Sequence, residues 1–330
     1  MIGGFTMLMN EIKIKQEDGY ITTVFPYYAS KAPKGNVLVL HGMAEYHDRY
    51  IGFAEFLNNC GYDVYLYDHR GHGTGTKLED LGFFAKNEGY NVITLDALEI
   101  LNFIRKNGRS DRNILFGHSM GSLLARNVIQ YDDTMDCVII CGTNSAPRAV
   151  TKAGLLVSGL IKTLLGATHP SPFLNKMMFN NKYYNDLNKR TQFDWLTRNS
   201  YIVGQYIGDP YCGFLCTASM YNDILHLVDN DTNLARIQRT RKDLPIFVIS
   251  GEMDPVGSYG KDVISYVTTL QKAGFKNVDC TLYSECRHEL LNELNNKEIM
   301  ADIAGWIDKT LEKSGSDAVE AESSEENAEE

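Results

Sequence analysis

The stretch NILFGHSMGSLLAR, residues 113–126, decides how this chain is read. An apolar run of strand character meets Gly117, and helical spacing follows from about Met120 to Tyr131. Between the two, Gly117-His118-Ser119-Met120-Gly121 fits G-x-S-x-G. A serine on so sharp a strand-to-helix turn sits in strained backbone, and its neighbours two residues away must be small for strand and helix to approach. Such a turn exposes the Ser119 hydroxyl at the strand's C-terminal end. It also aims the Met120 N–H, at the helix start, at a developing oxyanion. The same letters describe a glycine-rich turn that only packs a strand on a helix, so the rest of the chain must decide.

Working outward, NVLVLHG (36–42), CVIICGT (137–143) and PIFVISGEMD (245–254) are continuous apolar runs, as expected of strands covered on both faces. YDVYLYDHRGHG (62–73) ends in a glycine turn, and VDCTLYSE (278–285) is the last strand. EIKIKQ and YITTVFPYY alternate in polarity and meet at Asp18-Gly19, the pattern of an antiparallel pair. Helices predicted over 49–60, 90–107, 258–273 and 294–313 interleave with these strands. The fold class is therefore α/β, a mainly parallel central sheet flanked by helices. Roughly 100 residues separate the sixth strand from the seventh, far more than a crossover needs. AGLLVSGLIKTLLGA (153–167), NKMMFNNKYYNDL (175–187) and FDWLTRNSYIVGQYI (193–207) read as short helices of a cap inserted there, across the sheet's C-terminal edge. The division is a core over 1–145 and 241–313, a helical cap over 146–240, and an acidic tail over 314–330.

The net charge is −10, but seven acids and no bases fall in the tail, leaving −3 for the remainder. The tail is too polar to bury a core and reads as disordered. No block of Lys and Arg points to nucleic acid. The seven cysteines are odd in number and irregularly spaced, which fits a reducing cytosol better than a disulfide framework. The N-terminus has no basic leader, and no stretch approaches a membrane span. The expected location is cytoplasmic.

A serine hydroxyl needs a base, and the base an orienting acid. His288 follows the last strand in YSECRHELLNE, where a loop would face the serine. Asn292 holds the place of the second histidine of H-E-x-x-H, so this is no zinc-protease motif. Asp254, just past a buried strand, is the expected acid, with Glu285 and Asp279 as alternatives. The order Ser, Asp, His is the one this fold uses. The Met43 N–H, in HGMAEYHDRY, is the expected second oxyanion donor. His41 reads as a loop brace, and His69 and His72 as parts of a glycine turn. Cys212 and Cys216 read as packing residues of the cap. No cofactor or metal is expected.

Together HGMAEYHDRY, DHRGHG, GHSMG, SGEMDPVG and RHELLNE resemble the α/β-hydrolase family of monoacylglycerol lipases and bacterial lysophospholipases, a group also labelled serine aminopeptidase S33-like. The likeness spans roughly residues 10 to 310. It implies Ser119 as nucleophile, His288 as base, Asp254 as acid, and the N–H groups of Met43 and Met120 as oxyanion hole. It implies a small acyl ester as substrate, cleaved through an acyl-enzyme. Glu45 and Arg49 stand where the family has residues that contact the glycerol end of the substrate; an ion pair within the protein is the equal alternative. The chain departs from the family at H-G-M-A-E, where H-G-x-G-E is typical, and at Ser122, where eukaryotic relatives have a further glycine. Its cap looks closer to those of bacterial cytosolic relatives. An aminopeptidase would need acids in the cap to hold an ammonium group, for which Asp186, Asp194 and Asp209 are available. A non-catalytic binding protein is the third reading, set against the presence of all three triad residues. The apolar segment 153–167 reads either as a helix buried on the sheet edge or as a surface that touches a membrane or micelle.

Overall fold

The structure is a computed structural model. It describes residues 11–179, 182–186 and 189–329, with side chains through 314. The first part of the core runs β1 (Ile12–Lys15), β2 (Ile21–Tyr27), β3 (Gly35–Leu40), α1 (Ile51–Asn59), β4 (Tyr62–Tyr67), α2 (Gly89–Asn107), β5 (Asn113–His118), α3 (Met120–Val128) and β6 (Cys137–Cys141). Between β6 and the next strand lie α4 (Arg148–Leu165), α5 (Pro172–Phe179), α6 (Lys182–Asp186), α7 (Ser200–Gly208), α8 (Ala218–Asp231) and α9 (Leu234–Ile237). The core then closes with β7 (Ile246–Gly251), α10 (Lys261–Lys272), β8 (Val278–Tyr283) and α11 (Asn296–Glu329).

The eight strands form one sheet in the order β1-β2-β4-β3-β5-β6-β7-β8. The pairs β1–β2 and β2–β4 are antiparallel and the rest parallel. Strand periodicity explains why the central strands are apolar throughout. Leu38, Leu40, Leu115, Val138, Ile140 and Val248 face the layer of α2, α3, α8 and α10. Val37, Val39, Phe116, Ile139, Phe247 and Ile249 face α1 and α11 on the other side. Both faces are covered, so no polar alternation survives in the sequence.

The register aligns the functional loops. Leu40 pairs with Gly117, His118 with Cys141, and Gly251 with Tyr283, so the C-terminal ends of β3, β5, β6, β7 and β8 form one edge. The loops that leave this edge carry Met43, Ser119, Asp254 and His288.

Two expectations require correction. Residues 193–199 are not helical: they form turns before α7 and run beside the loop after β8, with Glu289 N–H donating to the Leu196 carbonyl at 2.7 Å. A tertiary partner satisfies the backbone that helical spacing assigns to a local one. The sequence also ends the last helix near 313, whereas α11 continues to Glu329. Ala and Glu recur through that segment and both are strong helix formers.

Candidate active site

The turn from β5 into α3 holds Ser119 at φ 54° and ψ −117°, a conformation that L-residues rarely adopt. Its backbone is pinned on both sides. Ser119 N–H donates to the Cys141 carbonyl at 2.9 Å, and Ser122 N–H donates to the Ser119 carbonyl at 2.9 Å. A side chain at Gly121 would collide with the carbonyl oxygens of Leu40 and His41, and one at Gly117 with the carbonyl of Gly121. Only hydrogen at both positions lets α3 start this close to the sheet. Ser122, in place of a further glycine, fits because its hydroxyl donates to the Ser119 carbonyl at 2.5 Å.

His288 and Asp254 are joined at 2.9 Å between Nδ1 and Oδ2, and both are almost wholly buried. Asp254 is further fixed by Ser250 Oγ–H at 3.2 Å and Val256 N–H at 2.9 Å. Its acceptor on Nδ1–H leaves His288 Nε2 as the free nitrogen. Ser119 and His288 line the same cavity, of about 630 Å³. Among the described residues no hydrogen bond joins the Ser119 hydroxyl to the ring, a looseness usual before substrate is bound. Of the alternative acids, Glu285 is exposed and pairs with Arg198, and Asp279 accepts from Trp306 Nε1–H. Neither touches His288.

The loop after β3 carries an N–H without an acceptor. Gly42 N–H is taken by Glu45 at 2.6 Å and Ala44 N–H by His72 Nε2 at 3.2 Å, while Met43 N–H between them has no acceptor among the described residues. Met120 N–H, at the first position of α3, has no intrahelical acceptor either. Ala44 has φ 54°, which accounts for the glycine that the resembling family places there.

Glu45 is buried and accepts from Gly42 N–H, from Tyr50 Oη–H at 2.7 Å and from Arg49 at 2.5 Å, and it faces His118 Nδ1 at 3.2 Å. Burial opposes its charge, but Arg49 and His118 outweigh this and hold the carboxyl well below the usual range. Arg49 also grips Glu289, the residue after His288, at 2.5 and 2.6 Å, and lies over the Tyr206 ring. Arg49 does not line the cavity around Ser119. Glu45 and Arg49 are thus bound up in a brace between the loops after β3 and β8.

Sequence reasoning missed Glu289, whose partner Arg49 lies 240 positions away. It also missed His118, whose Nε2 faces the His288 carbonyl at 3.3 Å. Both ring nitrogens of His118 face oxygens. Burial opposes its charge, yet the Glu45 carboxylate lifts its pKa above 6.5. The only available signals were their places beside Ser119 and His288.

His41, His69 and His72 pack ring against ring below this loop. Burial, then their mutual repulsion, pushes His69 down to about 3; burial pushes His72 down to about 4. They are neutral braces, as the sequence implies. Among the described residues no group of three or more His, Cys, Asp or Glu is placed to hold a metal ion.

Residues of α4 to α8 and their connections line the cavity over the elbow. Leu123, Val150, Met178, Phe179, Phe214 and Ile224 give it an apolar wall, and Trp195 packs on His288 with ring centroids 5.1 Å apart. Cys212 and Cys216 are buried thiols. Asp186, Asp194 and Asp209 do not line the cavity; Asp194 binds Arg190 and Thr191, and Asp209 accepts from Tyr46 and Tyr211. Among the described residues no helix is long and apolar enough to cross a membrane.

Residues 31–295 match the family model described as serine aminopeptidase, S33 (Hydrolase_4). A monoacylglycerol lipase of Mycolicibacterium smegmatis is 23% identical over 283 residues, covering 83% of this chain and 88% of its own length. A monoglyceride lipase of Rattus norvegicus is 24% identical, covering 87% of this chain and 86% of its own. Among solved structures, a thermostable carboxyl esterase of Bacillus coagulans in complex with glycerol superposes with a TM-score of 0.84 at 23% identity, over 93% of this chain and 100% of that one. The match establishes the α/β-hydrolase fold.

Proposed function

We propose that this chain, which belongs to the serine aminopeptidase S33 family (Hydrolase_4) of α/β-hydrolases, hydrolyses carboxylic esters through an acyl-enzyme on Ser119. The observation that carries the reading is the Asp254–His288 pair, bonded at 2.9 Å, opening into the same cavity as a serine held at a strained elbow. The names of the relatives, monoacylglycerol lipases and a carboxyl esterase, favour esters over amides.

His288 Nε2 takes the Ser119 proton as Oγ attacks the ester carbonyl, and Asp254 steadies the imidazolium that forms. The N–H groups of Met43 and Met120 receive the oxyanion. His288 returns the proton to the leaving alcohol, then activates a water that releases the acid. In this reading Glu45, Arg49, Glu289 and His118 hold the loops rather than the substrate. The segment 146–240 acts as the cap that selects it. The three acids of the cap offered for an ammonium group lie outside the cavity.

The outer face of α4 carries Leu156, Leu160 and Leu164, exposed at 78%, 59% and 71%. Their i, i+4 spacing makes one apolar stripe, which fits transient contact with a micelle or membrane surface. A panel of monoacylglycerols, lysophospholipids and short-chain esters, run on wild type and Ser119→Ala, tests the reading. Cleavage by wild type and none by the variant is expected; retention of most activity by Ser119→Ala would overturn it.

A further inference from the structure

The segment after Asp254 has a property that the triad does not use. Ser258, Tyr259 and Gly260 adopt left-handed backbone in succession, at φ 54°, 53° and 79°. Two of the three are not glycine, so the strain must be held by surroundings. Tyr259 N–H donates to the Asp254 carbonyl at 2.9 Å and Asp262 N–H to the Gly257 carbonyl at 3.1 Å. Tyr259 Oη–H reaches the Tyr183 carbonyl of α6 at 2.6 Å, tying the turn to the helices above.

This turn places Ser258 and Asp262 on the wall of the catalytic cavity. Among the described residues three carboxylates line that cavity. Glu45 and Glu289 share Arg49 as an ion-pair partner. Asp262 is half-buried, and its carboxylate accepts from Ser258 Oγ–H at 2.8 Å. Among the described residues no Lys, Arg or His lies within ion-pair reach of it. Lys261, its neighbour, points over the Tyr183 ring instead. Lys189 lines the cavity as well, without pairing to Asp262. Burial raises the Asp262 pKa, the Ser258 hydrogen bond opposes the shift, and the charge of Asp254 adds to it.

Resting on the esterase reading, we propose that Asp262, oriented by Ser258, is a specificity residue: it selects esters that carry a positively charged nitrogen over neutral esters of the same shape. A cation entering the cavity would meet a partly desolvated, unpaired carboxylate, and Ser258 would hold one oxygen while the other faces the ligand. An anionic group at the same place would be repelled.

An isosteric pair tests this: a choline ester and the 3,3-dimethylbutyl ester, which differ by nitrogen for carbon, with the acyl chain that wild type cleaves fastest. Wild type is expected to favour the choline ester about tenfold in kcat/KM, the scale of one partly exposed ion pair. Asp262→Asn should remove the preference, measured as the ratio of kcat/KM on the two esters, with an unchanged melting temperature showing that the variant is folded; Ser258→Ala should reduce the preference. No preference in wild type, or the same preference in Asp262→Asn, would overturn the proposal. Failure of the esterase reading shows itself separately, as no cleavage of the neutral ester by wild type, and takes the proposal with it.

Discussion

At the scale of single residues, the site is a set of groups whose roles follow from what each touches. Asp254 touches His288 Nδ1, so Asp254→Asn should leave the fold intact and present the wrong tautomer to Ser119. The expected outcome is a loss of about 10⁴ in kcat with an unchanged melting temperature, checked by steady-state kinetics and calorimetry. Arg49 carries a different expectation. Removing it strands two buried carboxylates, so Arg49→Met should destabilise the protein by about 3 kcal/mol, read from urea unfolding. A residue that only contacted substrate would leave the unfolding midpoint unchanged.

At the scale of elements, the junction of β3, β5 and α3 is the tightest constraint. Gly121→Ala brings a methyl onto the Leu40 carbonyl and should lower both stability and activity, whereas the same change at Gly52, which has open space around it and lies in α1, should do neither. The loop after β3 adds a pH dependence. His72 has a folded pKa of about 4 against 6.5 when unfolded, so the unfolded chain takes up a proton that the folded chain refuses. Its contribution is complete above pH 6.5 and is lost as pH falls from 6.5 toward 4. His72→Gln should therefore reduce the proton uptake on unfolding by about one between pH 6 and 5, measured as the slope of unfolding free energy against pH.

This scale also shows what was legible in the sequence. Cys137–Cys141 and Ile246–Gly251 were readable as strands because burial on both faces leaves an unbroken apolar run. The elbow was readable because steric demand fixes its glycines. Residues 193–199 were not, because their partner is the loop after β8, nearly a hundred positions on. The Arg49–Glu289 link and the facing of His118 to His288 were hidden for the same reason: no local pattern records a contact made by folding. Asp262 was passed over because a lone aspartate in a helix's first turn looks like an ordinary helix start.

At the scale of the whole molecule, the proposed function assigns the chemistry to one sheet edge and substrate selection to the helices inserted between β6 and β7. Separating the two is an experimental question. Leu160→Glu with Leu164→Glu lies on the exposed face of α4 and should leave cleavage of a dissolved short-chain ester unchanged while lowering the rate on micellar monoacylglycerol several-fold. Equal rates on micelles for wild type and variant would remove the surface role of the stripe.

The central claim is that Ser119 is the nucleophile of an assembled triad. Its most direct test is the intact mass of the protein after a fluorophosphonate probe, followed by mapping of the modified peptide. One adduct on Ser119, and none in Ser119→Ala or after His288→Ala, is the expected result. An unlabelled wild type, or an adduct on a different residue, would contradict it.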